Sequence, residues 1–172
     1  MLSPPGNLAD RLHGLLYRLP APLHRTALRL AHALRRCWWM AARPQIQGCR
    51  VIALDAAGRV MLVRHAYGSN RWMPPGGGVK PGEDPVLAGA REFEEEIGCR
   101  LEGARLLTST LRNLHGAGDL VHVVIGTSQG APRPDLRELT EAAWFALDAL
   151  PRDISPALAE RLPEWARAWS AP

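Results

Sequence analysis

Three glutamates in the middle of the chain are spaced so that their carboxylates share one face of a helix. Glu92, Glu95 and Glu96 lie at positions i, i+3 and i+4 of a helix predicted over 85–97, which places their Cβ atoms about 5–6 Å apart. If this face is partly buried, two carboxylates about 4 Å apart repel each other by about 4 kcal/mol at an effective dielectric constant of about 20. A hard divalent cation would reverse that repulsion, since Mg²⁺ and Mn²⁺ prefer carboxylate oxygens. A solvated acidic face is the alternative, and charge alone does not choose between the two.

The residues around the glutamates follow a fixed spacing. Gly77 is followed after five residues by Glu83, and after seven more by the run REFEEEIGC from Arg91 to Cys99. This pattern resembles the Nudix box, G-x5-E-x7-R-E-U-x-E-E-x-G-U with U bulky and apolar, and all seven fixed positions match. A chance match is on the order of 10⁻⁸ per starting position at ordinary residue frequencies. The resemblance to the Nudix hydrolases covers about residues 46–151, with Phe93 and Cys99 as mild departures at positions where aliphatic residues are commoner.

The resemblance implies a fold, a cofactor and a set of site residues. The family folds as an α/β/α sandwich around a mixed β-sheet and binds Mg²⁺ or Mn²⁺ through the glutamates of the box. The positions that match the family's metal contacts are the carbonyl of Gly77 and the carboxylates of Glu92, Glu95 and Glu96. Glu83 matches a further carboxylate near the metals, and Arg91 matches an arginine that orients the neighbouring glutamates.

The general base is left open by the resemblance. Family members use the glutamate after the arginine, here Glu92, or a carboxylate on a distant loop. Glu141 is the favoured distant candidate, because it precedes AAWFALDALP, which resembles the stretch where many members place an extra glutamate facing the metals. A solvated strand end is an equal alternative for Glu141, and Glu138 and Asp119 are weaker candidates for the base.

The implied reaction is metal-dependent hydrolysis of a pyrophosphate bond in a nucleoside diphosphate linked to another group. A nucleoside triphosphate or a nucleotide-sugar-like small molecule is the expected substrate. The subgroup is not identified, because Leu114-His115 stands where some subgroups carry a proline or a tyrosine. Specificity is therefore expected from segments 64–72 and 112–120. The alternative function is a non-catalytic Nudix-fold nucleotide sensor, although such proteins tend to lose glutamates of the box that this chain keeps.

The remaining elements must hold the box in place. Asp84 is a good N-cap, Pro85 suits the first helical position, and Gly98 is expected to end the helix. A hairpin is predicted from CRVIALD and RVMLVRH, strands are predicted near 101–114, 120–127 and AAWFAL, and a last helix runs from Pro156 towards Trp169. The stripe expected to face the core of the box helix consists of Val86, Ala90, Phe93 and Ile97. Trp72 is predicted to anchor the glycine loop from beneath, and the histidines at 65, 115 and 122 are expected at surface or sheet positions.

An N-terminal arm precedes this domain. We expect two units, a basic amphipathic helical arm over 1–45 and a Nudix domain over 46–172 with the box at 77–99. Residues 1–50 carry eight arginines against Asp10 alone, whereas the other 122 residues carry 13 basic and 16 acidic groups. The arm is expected to pack on its own domain or to form a homodimer, with peripheral membrane contact as the runner-up and no strong nucleic-acid signal.

The cysteines indicate a reducing compartment. The chain has three cysteines, Cys37, Cys49 and Cys99, which are far apart and form no CxxC pair. A disulfide framework is therefore not expected, and a cytoplasmic location is the prediction. No apolar run approaches the roughly 18 residues that a membrane-spanning helix needs.

Overall fold

The structure is a computed structural model that describes residues 45–66, 69–114, 117–134 and 138–170. It contains strands β1 (Gln45–Leu54), β2 (Val60–His65), β3 (Glu102–Leu114), β4 (Ala117–Thr127) and β5 (Leu139–Phe145), with helices α1 (Pro85–Ile97) and α2 (Pro156–Ser170). The predictions about the arm, the homodimer and membrane contact fall on residues 1–44 and lie outside the described residues. None of the helices in the described ranges is both long and apolar enough to cross a bilayer.

The five strands form one mixed sheet in the order β3-β4-β1-β2-β5. β1 and β4 run parallel, and the other neighbouring strands run antiparallel. Two clusters of buried side chains lie on opposite faces of this sheet, one beneath α1 around Phe93 and the other beneath α2 around Leu162. The mixed sheet between two helices is the α/β sandwich that the sequence predicted.

The turn between β1 and β2 forms where it was predicted. One carboxylate oxygen of Asp55, Oδ1, accepts the backbone N–H groups of Ala57 and Arg59 at 2.9 and 2.8 Å. Gly58 has a φ of +71°, which a residue with a Cβ rarely adopts. After this turn, β1 and β2 pair directly only between Leu54 and Val60, so the start of β1 is left open on that side.

The glycine-rich loop fills the open side of β1. Cys49 donates its backbone N–H to the carbonyl of Gly77 at 2.9 Å, and Val51 donates to the carbonyl of Pro75 at 2.8 Å. Val79 donates in return to the carbonyl of Gln47 at 3.0 Å. The start of the box is thereby attached to a central strand rather than left as a free surface loop.

Helix α1 has the predicted ends and a shifted buried face. Asp84 caps it through bonds to the N–H groups of its first turn, and Gly98 ends it in the left-handed conformation with a φ of +70°. Phe93 and Ile97 are buried as predicted, but Val86 and Ala90 are only half-buried. The closest approach to the sheet is instead at Gly89, where a Cβ would lie 3.1 Å from a methyl of Val124. The predicted stripe was therefore wrong by part of a turn, because a glycine allows the helix to rest nearer the sheet.

Helix α2 covers the opposite face. It begins at Pro156 as predicted and continues through Pro163 to Ser170. Trp72 is buried on this side, with its ring edge-on to Phe145 at a centroid distance of 4.8 Å. Trp72 is therefore a buried anchor, as predicted, and the side chains that it packs with belong to the cluster under α2.

Candidate active site

The three box glutamates share one side of α1 but lie at different depths. The side chain of Glu96 is 9% exposed, that of Glu92 is 18% exposed, and that of Glu95 is 61% exposed. Glu96 faces inward with Phe93 and Ile97, while Glu95 lies at the rim. A solvated acidic face does not describe this arrangement, because two of the three carboxylates are largely withdrawn from water.

Two glycines of the loop come into direct contact with the carboxylates. The N–H of Gly76 donates to Oε2 of Glu96 at 2.9 Å across twenty residues of sequence. Gly76 has a φ of +141°, and a Cβ there would lie 2.2 Å from the carbonyl oxygen of Cys49. A Cβ on Gly77 would lie 2.3 Å from Oε2 of Glu92. A side chain at Gly76 would collide with the backbone of β1, so glycine is required there, whereas a side chain at Gly77 would displace the carboxylate of Glu92.

Arg91 gathers the carboxylates at the outer side of the site. Its guanidinium donates to both carboxylate oxygens of Glu83 at 2.9 and 3.0 Å and to Glu92 at 2.8 Å. It lies 3.4 Å from Glu95 and donates to the carbonyl of Gly78 at 3.2 Å. The bonds from Arg91 lower the pKa of Glu83 to about 2, and the same contacts raise the pKa of Arg91. This fork of charge-assisted bonds holds the helix, the loop and Glu83 together.

Burial is the dominant electrostatic feature at Glu96. Desolvation raises the pKa of Glu96 to about 8, although the N–H of Gly76 and the charge of Arg50 act in the opposite direction. The negative charges of Glu92 and Glu138 raise it further. The pKa of Glu92 is also raised, again mainly by burial. Two carboxylates that are costly to ionise therefore lie next to each other, which is the situation that a bound cation relieves.

His65 and Arg50 are site residues that sequence reasoning missed. The Nδ1 atom of His65 lies 4.0 Å from Oε1 of Glu96. Burial, with a smaller contribution from Arg50, lowers the pKa of His65 to about 4, so this imidazole is neutral at pH 7 and brings no positive charge to the carboxyl of Glu96. Arg50 donates to the carbonyl of Gly76 at 3.1 Å. Both contacts join residues that are distant in sequence, so the pattern of neighbouring residues does not predict them.

The downstream carboxylates occupy three different environments. Glu141 lies opposite Arg64 in the pairing of β2 with β5, is 53% exposed, and lies 3.5 Å from the guanidinium of Arg64. Asp119, on β4, lies opposite Arg112 of the edge strand β3, and burial raises its pKa while the charges of Arg112 and Arg50 act in the opposite direction. Glu138 is the one that raises the pKa of both Glu92 and Glu96. Its carbonyl accepts the N–H of Ala66 at 2.8 Å, just beyond a register shift in β2. Of these three carboxylates, Glu138 is therefore the one whose charge affects the pKa of the box glutamates.

The donor set suits a hard divalent cation, although the carboxylates are not gathered into a ready-made cluster. Among the described residues, no three His, Cys, Asp or Glu side chains stand close enough to form one. The oxygens are instead held by Arg91 and by the N–H of Gly76. The Gly77 carbonyl accepts the N–H of Cys49 at 2.9 Å and the weaker thiol donor of the same residue at 3.7 Å. All these donors are oxygens, and in the part of the chain that the structure describes the hydrogen bond of the buried Glu96 is made by Oε2, so the residues fit Mg²⁺ or Mn²⁺.

Comparison with known proteins agrees with this arrangement. The family model described as NUDIX domain matches residues 45–167. An RNA pyrophosphohydrolase of Rhodospirillum rubrum is 35% identical over 129 residues, which cover 75% of this chain and 73% of that protein. The RNA pyrophosphohydrolase of Pectobacterium atrosepticum is 42% identical over 60 residues, but these cover 35% of this chain and only 33% of that protein.

A solved structure of a NUDIX hydrolase is also similar to this chain. The crystal structure of a MutT NUDIX hydrolase from Burkholderia pseudomallei superposes with a TM-score of 0.59 at 30% identity, covering 70% of this chain and 96% of that one. The fold, the spacing of the box and the match over most of the chain all agree. The chain belongs to the Nudix family.

Proposed function

We propose that this protein hydrolyses a pyrophosphate bond in a nucleoside diphosphate linked to another group, with Mg²⁺ or Mn²⁺ as its cofactor. The observation that carries the proposal is the pair of buried carboxylates, Glu92 and Glu96, held against the backbone of Gly76 and Gly77. The proposed metal contacts are Glu92, Glu95, Glu96 and the carbonyl of Gly77. When bound there, the cation supplies the positive charge that offsets the negative charge of the diphosphate and of a deprotonated water.

The protein groups have separate tasks in this reaction. Arg91 fixes the carboxylates of Glu83 and Glu92 through its bonds of 2.8–3.0 Å, so that neither must be reoriented when the substrate arrives. The N–H of Gly76 keeps Oε2 of Glu96 turned towards the loop and leaves the other oxygen available. The raised pKa of Glu92 makes its carboxylate a better proton acceptor than an ordinary surface glutamate. We therefore assign Glu92 as one candidate for the base that takes a proton from the attacking water.

A downstream carboxylate is the other candidate for the base. Glu138 is supported by its electrostatic effect on Glu92 and Glu96, and its backbone is bonded to the end of β2. Glu141, which the sequence favoured, is paired with Arg64 and half exposed. We propose Glu138 ahead of Glu141, and the two variants described in the Discussion separate them.

RNA is a second candidate for the substrate. The proteins of Rhodospirillum rubrum and Pectobacterium atrosepticum are both named RNA pyrophosphohydrolases. An RNA chain carries its phosphoanhydride bonds at the 5′ end, so the same site could act on a 5′-triphosphate. The excess of arginine in residues 1–50 would then attract the RNA backbone. The alternative of a non-catalytic sensor is less well supported, because every carboxylate of the box is present.

A substrate panel tests the proposal. Purified protein is incubated with nucleoside triphosphates, nucleotide sugars and a 5′-triphosphate oligonucleotide, each with Mg²⁺, with Mn²⁺ and with EDTA, and the products are resolved by ³¹P NMR. We expect metal-dependent cleavage of one class, with the oligonucleotide preferred if the RNA candidate is right. Tight binding of a nucleotide without turnover, in every metal condition, would support the sensor instead.

Two further predictions belong to this proposal. We propose that the chain is organised as an arm over 1–45 and a catalytic domain over 46–172, and that it works in the cytoplasm. The free thiols of Cys49 and Cys99, both buried, suit a reducing compartment.

A further inference from the structure

Two large apolar side chains are exposed on the outermost strand of the sheet. Leu106 is 46% exposed and Leu111 is 71% exposed, and both lie on β3. Leu106 pairs with Val124 and Leu111 pairs with Leu120 on β4. Because directly opposed residues of antiparallel strands share a face, all four lie on the side of the sheet where Gly89 of α1 meets Val124.

This apolar surface, defined by Leu106, Leu111 and the half-buried Leu120, is not covered by α1. Helix α1 is in contact with β1, β3 and β4, and it approaches β4 most closely at Gly89. Leu106 and Leu111 nevertheless keep about half or more of their surface exposed, so the helix does not cover this part of β3. Between Leu106 and Leu111, the hydroxyl of Ser109 forms a hydrogen bond with Nδ1 of His122 at 2.8 Å. The apolar surface is therefore interrupted in its centre by one hydrogen-bonded polar pair.

We propose that the predicted second helix of the arm, residues 23–38, covers this surface in the same molecule. Its apolar stripe consists of Leu23, Ala27, Leu30, Ala31, Leu34 and Trp38, and arginines occupy the opposite face. The alanines within the stripe allow a close approach to a sheet. Residues 1–50 carry an excess of positive charge and the remainder of the chain carries a small excess of negative charge, so the two parts attract each other.

The point where the chain enters the sheet supports this occupant. Gln45, the first residue of β1, pairs with Gly118 of β4, and Gln47 pairs with Leu120. Leu111 therefore lies about two strands across and two residues along from the end of the arm, which is roughly 12 Å. Residues 39–44 span up to about 20 Å when extended, which is enough to reach it.

The length of the predicted helix also matches the length of the apolar surface on β3. A helix over 23–38 is about 24 Å long. The row from Leu106 to Leu111 extends about 17 Å along β3, or somewhat less across the irregularity between Leu106 and Thr108. One such helix, laid along β3, would cover the surface without any contribution from a second molecule.

Hydrogen exchange of the full chain tests the proposal. Peptides from 23–38 are followed by mass spectrometry in the wild type, in Leu106→Gln/Leu111→Gln, and in the control Leu87→Gln. Leu87 is 67% exposed, and it lies two residues, or about 200° of helical rotation, from the sheet-facing Gly89. We expect protection of 23–38 in the wild type, at least tenfold faster exchange in the β3 double variant, and no change in the control.

A second variant keeps the test open if the β3 double variant does not fold. Leu30→Gln/Leu34→Gln changes only the arm and should increase exchange of the amides on the outer edge of β3, with β1 and β4 unaffected. Unprotected arm amides in the wild type would overturn the proposal, as would protection that the β3 substitutions leave intact. It would also be overturned by a wild-type dimer that the β3 substitutions convert to a monomer in light scattering, or by arm protection that requires anionic vesicles.

Discussion

The buried carboxylate of Glu96 should make the stability of the metal-free protein depend on pH. Its pKa is about 8 in the folded protein and about 4.5 in the unfolded chain. Between these values the folded state binds one more proton than the unfolded state at this residue. Stability from this group is therefore fully present below about pH 4.5 and is lost as the pH rises through 8.

His65 limits the range in which this effect can be seen. Its pKa is about 4 in the folded protein and 6.5 when exposed, so from pH 4 to 6.5 the unfolded state binds the extra proton. The two residues oppose each other in that range. Of these two residues, Glu96 alone contributes from pH 6.5 to 8, at up to about 1.4 kcal/mol per pH unit. The free energy of unfolding should therefore fall by up to about 2 kcal/mol across this range.

Urea unfolding in EDTA and a thiol reductant, at four pH values from 6.5 to 8, measures this slope. The reductant is needed because Cys49 is free, and the upper limit of pH 8 avoids its titration, since burial raises the pKa of that thiol. Glu96→Gln should remove the slope and be more stable than the wild type at pH 8. Glu94→Gln is the matched control, because Glu94 is 61% exposed on the same helix. A slope that survives in Glu96→Gln would refute the assignment of the pKa to this residue.

Three further substitutions test the site. Gly77→Ala should weaken Mn²⁺ binding about tenfold or more, because the new methyl group pushes the Glu92 carboxylate aside. Gly78→Ala is the control, because the space around a Cβ at that position is open and Mn²⁺ binding should not change. Calorimetric titration with Mn²⁺ compares the two variants. Arg91→Lys loses the forked bonds and should lower kcat/KM by about 10–100-fold, and activity close to that of the wild type would argue against a positioning role. Glu138→Gln should lower kcat by about 10²–10⁴-fold and remove the acidic limb of the pH–rate profile, whereas Glu141→Gln should leave both nearly unchanged; the reverse result would restore Glu141 as the base.

Local signals predicted the box helix closely. Asp84, Pro85 and Gly98 define its ends through bonds and dihedral angles that depend on a few neighbouring residues. The spacing of the glutamates likewise placed three carboxylates on one side. Features of this kind could be predicted because they are decided within one or two turns of chain.

The depth of each carboxylate could not be predicted in the same way. Glu95 and Glu96 are adjacent in sequence, yet one is at the rim and the other is buried. Their difference depends on how α1 rotates over the sheet, and that rotation is set by the close approach of Gly89 to Val124. A pattern of apolar residues that ignores glycine places the buried face too far round the helix, at Val86 and Ala90.

The contacts between segments that are distant in sequence could not be predicted either. The bond from Gly76 to Glu96 joins residues twenty positions apart, and Arg50, His65 and Glu138 reach the site from three other elements. Glu138 and Glu141 are three residues apart, and both precede the same aromatic strand. Only the pairing of β5 with β2, which places Glu141 opposite Arg64, separates their environments.

The most direct test of the central claim is the kcat/KM for the preferred substrate of the panel, measured with saturating Mg²⁺ or Mn²⁺ in the wild type and three variants. Glu95→Gln and Glu96→Gln each remove a carboxylate charge proposed to hold the cation, and Glu94→Gln removes one from the same helix outside the site. Circular dichroism confirms that each variant is folded. The account predicts a loss of at least about 10²-fold for Glu95→Gln and Glu96→Gln, with Glu94→Gln close to the wild type. Full turnover in both Glu95→Gln and Glu96→Gln, or an equal loss in all three variants, would contradict it.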